Sequence, residues 1–263
     1  MTGNTTVGNT SPAGRTVVVT GTSTDVGKTV VTAALAVAAR RAGATVAVCK
    51  PAQTGVLPGE PGDLAVVARL AGELATAECA RFPEPLAPET AAARAGRPQL
   101  RRPQVAAAIT DLSAAHDLTL VEGAGGVLVR LAPDVTIIDI AIDVKADAIV
   151  VVPAGLGALN HAELTVAALR AKGIDPVGLV IGSWPAEPDL AMACNRSDLP
   201  RLTGVPVIGE IPAGAGALAP ADFRRAAPTW FDESLTDILG LTSPHGTLSE
   251  HLSPSQPQQG AHT

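Results

Sequence analysis

The segment from Gly21 to Thr29 has the residue types and spacing of a phosphate-binding loop. It reads Gly-Thr-Ser-Thr-Asp-Val-Gly-Lys-Thr, follows an apolar Val-Val-Val-Thr run and precedes an alanine-rich segment with helical character. Backbone N–H groups on such a turn and at a helix N-terminus donate hydrogen bonds to phosphate oxygens. Gly27 would admit close backbone approach, Lys28 would reach the β- and γ-phosphates, and Thr29 would offer its hydroxyl to Mg²⁺. Five residues separate the glycines, one more than in the usual Walker A pattern, but the context predicts a site for a magnesium-bound nucleoside triphosphate.

Two acidic residues are candidates for the magnesium shell, because Mg²⁺ prefers hard oxygen ligands. Glu122 ends the apolar run Leu-Thr-Leu-Val and precedes Gly-Ala-Gly-Gly, which predicts a carboxylate at the end of a buried strand. The alternative for Glu122 is a solvent-exposed residue at a strand end. Asp63 begins a helical pattern after a Pro/Gly-rich loop. Asp usually caps a helix at such a position, so spacing alone favours a cap over a metal ligand.

Lys50 is a second lysine for which the pattern predicts a role. It ends the apolar run Val-Ala-Val-Cys and is followed by Pro-Ala-Gln-Thr-Gly. At the end of a core strand beside the phosphate loop, Lys50 would face the transferred phosphate or an acidic substrate group. The alternative is a lysine that extends along the rim of the sheet to water. Thr54 is either a hydrogen-bonding partner in this region or an ordinary turn residue.

The composition indicates a compact protein with a core of small aliphatic residues. Hydrophobic residues make up 46% of the 263 residues and charged residues 17%, which is typical of globular domains. Aromatic residues are only 2%, so Ala, Val, Leu and Ile must fill the core, as in a buried parallel sheet. The net charge is −6 and no long Lys/Arg run is present, which argues against a nucleic-acid partner.

Short Val/Ile-rich runs alternate with longer alanine-rich segments along the chain. We predict strands at Thr16–Thr20, Thr45–Lys50, Leu118–Glu122, Ala148–Pro153, Val177–Ile181 and Val207–Gly209. We predict helices at Lys28–Ala42, Asp63–Ala71, Gln104–Ala115, Leu159–Lys172 and near Trp230–Leu239. This alternation predicts an α/β fold, P-loop NTPase-like, with a mostly parallel sheet and helices on both faces. Ligands bind at the carboxyl ends of the strands in such sheets, where the motifs above lie.

The ends of the chain and the cysteines set further expectations. Residues 1–14 and 241–263 are rich in Ser, Thr, Gly and Pro, so we expect a disordered leader and tail around one domain at 15–240. Cys49, Cys79 and Cys194 form no CxxC pair, which argues against a disulfide framework or a zinc site and favours reduced thiols. The sequence has no signal-peptide pattern and no long apolar stretch, so we expect a cytoplasmic protein with no membrane partner.

The motifs together resemble those of the dethiobiotin synthetase family. Four stretches match in order and cover most of the body: Gly21–Thr29, Lys50–Gly55, Val121–Gly126 and Gly155–His161. A fifth, Gly209–Pro212, matches near the end of the body. The lengthened phosphate loop is itself a mark of that family. The set is specific, although no single stretch would be.

The resemblance implies a ligase of biotin biosynthesis. Its substrates would be 7,8-diaminopelargonate (7,8-diaminononanoate), CO₂ or bicarbonate, and a nucleoside triphosphate with Mg²⁺. One amine would take up CO₂ to form a carbamate, which attacks the γ-phosphate and gives a carbamic–phosphoric anhydride. The second amine would close the ureido ring of dethiobiotin and expel phosphate. Every intermediate is anionic, so positioning and charge stabilisation suit the residue types present.

The resemblance also implies roles for individual residues. Lys28 and Lys50 would hold the γ-phosphate and the carbamate, and Thr24 would contact the substrate or its carbamate. Thr54 would touch the diamine or the carbamate. The implied magnesium ligands are Thr29, Asp63 and Glu122, which favours the ligand interpretation of Asp63. The implied nucleotide contacts around the loop are Asp25, Val26, Gly27, Lys28, Thr29, Val30, Glu122 and Gly125.

The resemblance further implies a homodimer in which the substrate chain lies across the subunit interface. The distal carboxylate of the substrate would bind at a helix N-terminus of the partner subunit, which needs no basic side chain. The corresponding residues here are Gly157, Ala158, Leu159 and Asn160. The alternative for Asn160 and the neighbouring His161 is first-turn capping and packing, and we assign His161 no catalytic role.

One departure from the family concerns the nucleotide base. Members that select adenine carry an Asn-Asp pair after the strand equivalent to Val177–Ile181, whereas this chain has Gly182-Ser183. Gly182 has no side-chain amide to read the base. We therefore expect weak base discrimination, with ATP or another triphosphate such as CTP as co-substrate. The expected base and ribose contacts are Gly182, Ser183, Glu210, Pro212, Ala213 and Gly214.

Three other classes of protein match the sequence less well. A switch ATPase of the deviant Walker A group, of the partitioning and positioning type, has a second lysine early in its loop, where this chain has Thr22. An amidotransferase-like ligase needs a glutaminase domain with a nucleophilic Cys, for which this chain has no room. A pure binding module would not need two strand-end lysines together with paired carboxylates.

Overall fold

A parallel sheet forms the centre of the molecule in the computed structural model, which describes residues 14–241. The strands are β1 (Arg15–Gly21), β2 (Val46–Lys50), β3 (Gln53–Thr54), β4 (Ala75–Glu78), β5 (Arg81–Phe82), β6 (Leu118–Gly126), β7 (Asp147–Val152), β8 (Gly178–Trp184) and β9 (Val207–Pro212). Seven of them form one sheet in the order β4-β2-β6-β1-β7-β8-β9, while β3 and β5 form a separate pair. All of these strand pairings are parallel. The predicted parallel α/β architecture is confirmed.

Helices connect the strands of this sheet. They are α1 (Lys28–Arg41), α2 (Asp63–Ala71), α3 (Pro88–Arg94), α4 (Arg102–Ala115), α5 (Ile137–Asp143), α6 (Ala158–Arg170), α7 (Leu190–Thr203), α8 (Pro220–Ala226) and α9 (Leu235–Ile238). Short 3₁₀ turns lie at Ala215–Ala217 and Ala227–Trp230. Among the helices between residues 14 and 241, none has the length and hydrophobicity needed to cross a membrane.

Buried aliphatic residues form a separate core on each face of the sheet. The core on one face contains Val17 of β1, Leu35 of α1 and Phe223 of α8. The core on the other face contains Val18 of β1 and Ile109 of α4. Val17 and Val18 are neighbours in sequence and point to opposite faces, as the alternation of side chains along a strand requires. Helices therefore cover both faces, as predicted, which explains why the strands are apolar throughout.

Four strands extend beyond their predicted carboxyl ends: β1 by one residue to Gly21, β9 to Pro212, and β6 and β8 as follows. β6 was expected to end at Glu122 but continues to Gly126, which pairs with Gly21 after an irregularity in the register. A Cβ atom at Gly126 would lie 3.3 Å from the carbonyl oxygen of Thr22, so glycine lets β6 pass close to the phosphate loop. β8 likewise continues past Ile181 to Trp184.

The predicted helix near Trp230–Leu239 is confirmed only over Leu235–Ile238, and the first half of the predicted span is wrong. The structure has a 3₁₀ turn that ends at Trp230, extended backbone at Phe231 and then the short helix α9. Phe231 forms an antiparallel bridge with Gly209 of β9, and this bridge interrupts any continuous helix. The short strands β3, β4 and β5 and the helices α3, α5, α7 and α8 were not predicted. The expected leader and tail lie outside the described residues, apart from Gly14 and Leu241.

Candidate active site

The phosphate loop connects β1 to α1 at the carboxyl edge of the sheet. Gly27 precedes the first residue of α1 and has φ 95°, in the left-handed region that glycine adopts readily. Asp25 also has a positive φ of 59°, which Asp tolerates better than most residues. The backbone N–H of Thr22 donates to the carbonyl of Val151 in β7 at 3.1 Å. The loop is therefore tied to the sheet at its start and to the helix at its end.

Lys28 lies inside this loop. Its side chain is buried and its Nζ donates to the carbonyl oxygen of Ser23 at 2.8 Å. Burial, followed by the positive charge of Lys50, lowers the pKa of Lys28, and nearby carboxylates only partly oppose this shift. An ammonium group that lies within a glycine-rich loop at a helix N-terminus suits a polyphosphate anion.

Lys50 lies between two carboxylates. Its Nζ is 2.6 Å from Oδ2 of Asp63 and 2.8 Å from Oε1 of Glu122. The same nitrogen donates to the carbonyl of Gly123 at 3.2 Å. Burial acts to lower the pKa of Lys50, but Glu122 and Asp63 outweigh it and the pKa is raised. Lys50 therefore keeps its positive charge although only 3% of it is exposed.

The residues expected to bind magnesium meet beside Lys50. The hydroxyl of Thr29 donates to Oε1 of Glu122 at 2.8 Å. The other carboxylate oxygen of Glu122, Oε2, is buried and finds no hydrogen-bond partner among residues 14–241. One hydroxyl and two carboxylates, one of which has an unpaired buried oxygen, form the hard donor set that Mg²⁺ prefers. The ammonium group of Lys50 is a cation already held by the same carboxylates, so the residues fit a bound metal ion.

A cavity of about 840 Å³ brings most of the predicted site residues together. The predicted residues that line it are Thr24, Asp25, Gly27, Lys28, Thr29, Val30, Lys50, Thr54, Asp63, Glu122 and Gly125. Val26 of the same loop is buried in the core instead. The volume is within the usual range for small-molecule sites. It can therefore receive a phosphate chain on one side and a small anionic group beside Lys50.

The residues expected to contact the base and ribose do not line this cavity. Gly182 and Ser183 lie in β8 and Glu210 lies in β9, while the N–H of Ala213 donates to the carbonyl of Trp184 at 2.7 Å. Pro212 and Gly214 flank Ala213 at the end of β9. These residues form a neighbouring group at the same edge of the sheet.

Gly182 joins that group to the phosphate loop. A Cβ atom at Gly182 would lie 1.9 Å from the carbonyl oxygen of Val26, closer than atoms can approach. The backbone of β8 therefore packs directly against the loop. The sequence indicated only that Gly182 lacks a base-reading amide, whereas the structure gives this glycine a packing role as well.

Glu210 forms an ion pair with a neighbouring arginine. Nε of Arg196 lies 2.5 Å from Oε1 of Glu210, and the guanidinium of Arg196 lies over the ring of Trp184, 5.5 Å from its centroid. The predicted contact of Glu210 with the nucleotide would therefore compete with this ion pair.

Gly157, Ala158, Leu159 and Asn160 also lie away from the cavity of their own chain. Gly157 precedes α6 and has a positive φ of 86°. Their expected role in a partner subunit stays a prediction.

Gln53 is a polar residue of the site to which the sequence assigned no role. It lines the cavity, is 4% exposed, and its Oε1 accepts a hydrogen bond from the backbone N–H of Asp63 at 2.8 Å. Its only signal in the sequence is its place in the Lys50–Gly55 stretch. That signal could not indicate contact with a residue ten positions further on.

The fold and the site define the general class of this protein. A glycine-rich loop joins the central strand β1 to α1, Lys28 and Thr29 begin that helix, and Glu122 lies on the adjacent parallel strand. This arrangement is that of the P-loop nucleoside triphosphate-binding proteins.

Comparison with known proteins identifies the family. The family model described as AAA domain (AAA_26) matches residues 15–218. The ATP-dependent dethiobiotin synthetase BioD of Rhodococcus jostii (strain RHA1) is 63% identical over 218 residues, which are 82% of this chain and 94% of that protein. The protein of the same name from Streptomyces coelicolor (strain ATCC BAA-471 / A3(2) / M145) is 59% identical over 214 residues, 81% of this chain and 90% of that protein. The chain belongs to the dethiobiotin synthetase family.

A solved structure supports the fold alone. The septum site-determining protein MinD complexed with Mg-ADP from Pyrococcus horikoshii OT3 matches with a TM-score of 0.53 at 15% identity. The match covers 86% of this chain and 93% of that chain. The P-loop NTPase-like fold is thereby confirmed, and the resemblance to dethiobiotin synthetases is confirmed by the relatives above.

Proposed function

We propose that this protein closes the ureido ring of dethiobiotin, as a cyclo-ligase of biotin biosynthesis. Its substrates are 7,8-diaminopelargonate (7,8-diaminononanoate), CO₂ and a nucleoside triphosphate. The observation that carries the proposal is the convergence of Lys28, Lys50 and Glu122 on one cavity in a member of this family. Two lysines can receive two anionic groups side by side, which a transfer of phosphate to a carbamate requires.

The reaction proceeds in three balanced steps. An amine of the substrate forms an N–C bond to CO₂ and loses a proton, which gives a carbamate. A carbamate oxygen then forms a bond to the γ-phosphorus while the bond from that phosphorus to the β–γ bridging oxygen breaks and releases the nucleoside diphosphate. The second amine forms a bond to the carbamate carbon, loses a proton, and releases phosphate. No oxidant or reductant is needed.

Residues of the cavity suit these steps. Lys50 already contacts two carboxylate oxygens, and a carbamate presents oxygens of the same kind. Lys28 sits within the loop that would hold the β- and γ-phosphates. Thr24 and Thr54 line the cavity and offer hydroxyls to the carbamate or the diamine. Most of the rate enhancement then comes from holding the reacting groups in line and balancing their charge.

We include Mg²⁺ as the metal of this site. When bound, it supplies charge neutralisation on the β- and γ-phosphates. Thr29, Asp63 and Glu122 would hold it, which the unpaired Oε2 of Glu122 supports. We also propose ATP as co-substrate, with CTP or another triphosphate as an alternative because Gly182 carries no side-chain amide.

We further propose a cytoplasmic homodimer. In it, residues Gly157 to Asn160 at the start of α6 bind the distal carboxylate of a substrate held by the partner subunit. The support is the family resemblance and the absence, within the described part of α6, of a side-chain cap on its N-terminus. The cytoplasmic location rests on the widely spaced cysteines of the sequence.

An assay of product formation tests the proposal. The purified protein is incubated with diaminopelargonate, bicarbonate, Mg²⁺ and each of ATP, CTP, GTP and UTP, and dethiobiotin is detected by mass spectrometry. We expect dethiobiotin and stoichiometric phosphate, with kcat reduced on the order of 100-fold or more in Lys28→Ala. A rate of triphosphate hydrolysis that does not depend on the diamine or on bicarbonate would instead favour a switch ATPase. A folded protein that yields no dethiobiotin with any triphosphate would refute the proposal.

A further inference from the structure

The small sheet of β3 and β5 supports the loop that leads into α2. Gln53 of β3 and Arg81 of β5 are partners in the register of this sheet. The guanidinium of Arg81 donates to the carbonyl of Glu60 at 2.6 Å, and the amide oxygen of Gln53 accepts from the N–H of Asp63 at 2.8 Å. Two adjacent side chains thus hold both ends of the short segment that precedes the helix.

Gln53 supplies a helix cap that the residue at the usual position cannot provide. Gly62 is the N-cap residue of α2 and has no side chain to accept a hydrogen bond. A Cβ atom at Gly62 would lie 2.6 Å from Oε1 and 2.9 Å from Cδ of Gln53. The backbone of Gly62 has an ordinary φ of −102°, so its conformation does not require glycine, and a larger residue would have to displace the amide of Gln53. The absence of a side chain at Gly62 makes room for the amide of Gln53.

Asp63, whose backbone N–H is capped by Gln53, also places its side chain against Lys50. Asp63 presents its N–H to Gln53 and its Oδ2 to Lys50, at 2.8 Å and 2.6 Å respectively. A side chain that fixes the backbone at Asp63 therefore also sets where its carboxylate lies relative to Lys50. Gln53 follows Lys50 closely in the chain, so one short segment positions both members of the ion pair.

The geometry points to Gln53 as the positioning residue for Asp63, which it orients as a divalent-cation ligand by capping α2 from outside the helix. This inference rests on the proposed function, because it takes Asp63 as a ligand of the metal bound with the nucleotide. Gln53 touches neither substrate nor metal in this assignment. It acts through Asp63, as residues behind a metal ligand commonly do.

The test compares divalent-cation affinity with thermal stability in the full-length protein. Mn²⁺ binding is measured by electron paramagnetic resonance with a non-hydrolysable ATP analogue present, and unfolding by circular dichroism. Gln53→Met removes the acceptor at similar size, Gln53→Glu keeps an acceptor oxygen, and Gln53→Asn is one methylene too short. We expect Gln53→Met and Gln53→Asn to weaken Mn²⁺ affinity by about tenfold or more. Gln53→Glu should recover most of that loss.

Asp189→Ala is the matched control for a purely structural cap. Asp189 caps α7 by accepting from the N–H of Met192 at 2.8 Å, and it has no place in the proposed site. We expect this variant to lower the Tm and leave Mn²⁺ affinity unchanged. The inference is overturned if Gln53→Met behaves in the same way. Should Gln53→Met fail to fold, Gln53→Asn decides by the same comparison.

Asp63→Asn separates this inference from the proposed function. We expect it to weaken Mn²⁺ affinity at least as much as Gln53→Met does. Unchanged affinity in Asp63→Asn would overturn both the metal role of Asp63 and the positioning role of Gln53. Dethiobiotin formation by the unsubstituted protein would still stand as an independent result, because that assay does not depend on which residue holds the metal.

Discussion

The ammonium nitrogen of Lys50 lies 2.6 Å from Oδ2 of Asp63, so a lysine neutralises a carboxylate proposed as a magnesium ligand. The same nitrogen is 2.8 Å from Oε1 of Glu122. A divalent cation bound by these two carboxylates would repel the ammonium group at close range. Under the proposed function, Lys50 and the metal would therefore compete for the same negative charges, and Lys50 would be released to contact the proposed carbamate when the metal binds.

Lys50→Met should bind divalent cations more tightly in the absence of nucleotide. Removing the competing charge leaves the buried carboxylate of Glu122 and the partly exposed carboxylate of Asp63 without their cation, and we expect Mn²⁺ affinity to rise by roughly tenfold. Turnover should fall sharply in the same variant. Electron paramagnetic resonance titration measures the affinity, and Mg²⁺ should raise the Tm of Lys50→Met more than that of the unsubstituted protein. Lys172→Met, at an exposed position just after α6, is the control. Mn²⁺ affinity in Lys50→Met that is equal to or weaker than that of the unsubstituted protein would rule out competition.

Glu122→Gln should raise the magnesium requirement of the reaction. The amide keeps the shape of the side chain but removes the charge that Thr29 and Lys50 contact. We expect the Mg²⁺ concentration for half-maximal rate to increase on the order of tenfold or more. The exposed substitution Glu73→Gln serves as the control. A magnesium titration that superimposes on that of the unsubstituted protein would remove Glu122 from the metal shell.

Gly182→Ala should weaken binding of every triphosphate by a similar factor. The added methyl group would meet the carbonyl of Val26, so the phosphate loop must shift. A shift of this kind misplaces the phosphates, and we expect kcat/KM to fall by about tenfold or more for both ATP and CTP. Steady-state kinetics with each nucleotide measures the effect.

Gly173→Ala is the matched control for that substitution. Gly173 has φ 79° and open space around its Cβ position, so alanine there strains the backbone without touching the phosphate loop. It should lower the Tm and leave kcat/KM unchanged. A change confined to one base in Gly182→Ala would mean that the residue reads the base and does not support the loop.

The stability of the protein should depend on Asp117 in the acid range. The hydroxyl and N–H of Thr45 donate to Oδ2 of Asp117 at 2.6 Å and 2.8 Å. These hydrogen bonds lower the pKa of Asp117 below its usual value of 3.8. Because the folded-state pKa is depressed, the contribution is complete above the unfolded-state pKa and disappears as the pH falls through the folded-state pKa.

Asp117→Asn should therefore lower the Tm at pH 7, and the difference should close below about pH 4. Thr45→Val removes a hydroxyl that donates to Oδ2 of Asp117 and accepts from the N–H of Asp117 at 2.9 Å, so only part of its Tm difference should close over the same range. Thermal unfolding as a function of pH measures both, with kcat at pH 7 unchanged in each. A Tm difference for Asp117→Asn that stays constant down to acid pH would contradict the assignment.

The central elements and most of the charged site could be predicted because their signals are local. Val-rich strands, alanine-rich helices and the contiguous loop residues around Lys28 each lie within one short window of sequence. Lys50 and Glu122 could be brought together because parallel strands end at one edge of the sheet. The cavity contains both of them.

Other features depend on contacts that no short window contains. The amide of Gln53 reaches Asp63 across a turn, and Gly182 meets Val26 from a distant strand. The glycines at the end of β6 suggest a loop in the sequence. In the structure they continue the strand, and Gly126 has no side chain to prevent its close approach to Thr22. β4 has the sequence Ala-Thr-Ala-Glu, in which polar residues hide a strand at the edge of the sheet.

Because every strand pairing in the central sheet is parallel, all strands end at one edge and begin at the other, and the polar contacts at the two edges differ in function. At the carboxyl edge, ion pairs such as Lys50–Asp63 hold charges that a ligand must reorganise. At the amino edge, contacts such as Thr45–Asp117 and Arg15–Asp147 only fasten the chain to itself. Substitutions that raise the thermal stability of this enzyme can therefore be chosen at the amino edge, because they lie away from the site where added rigidity would lower activity.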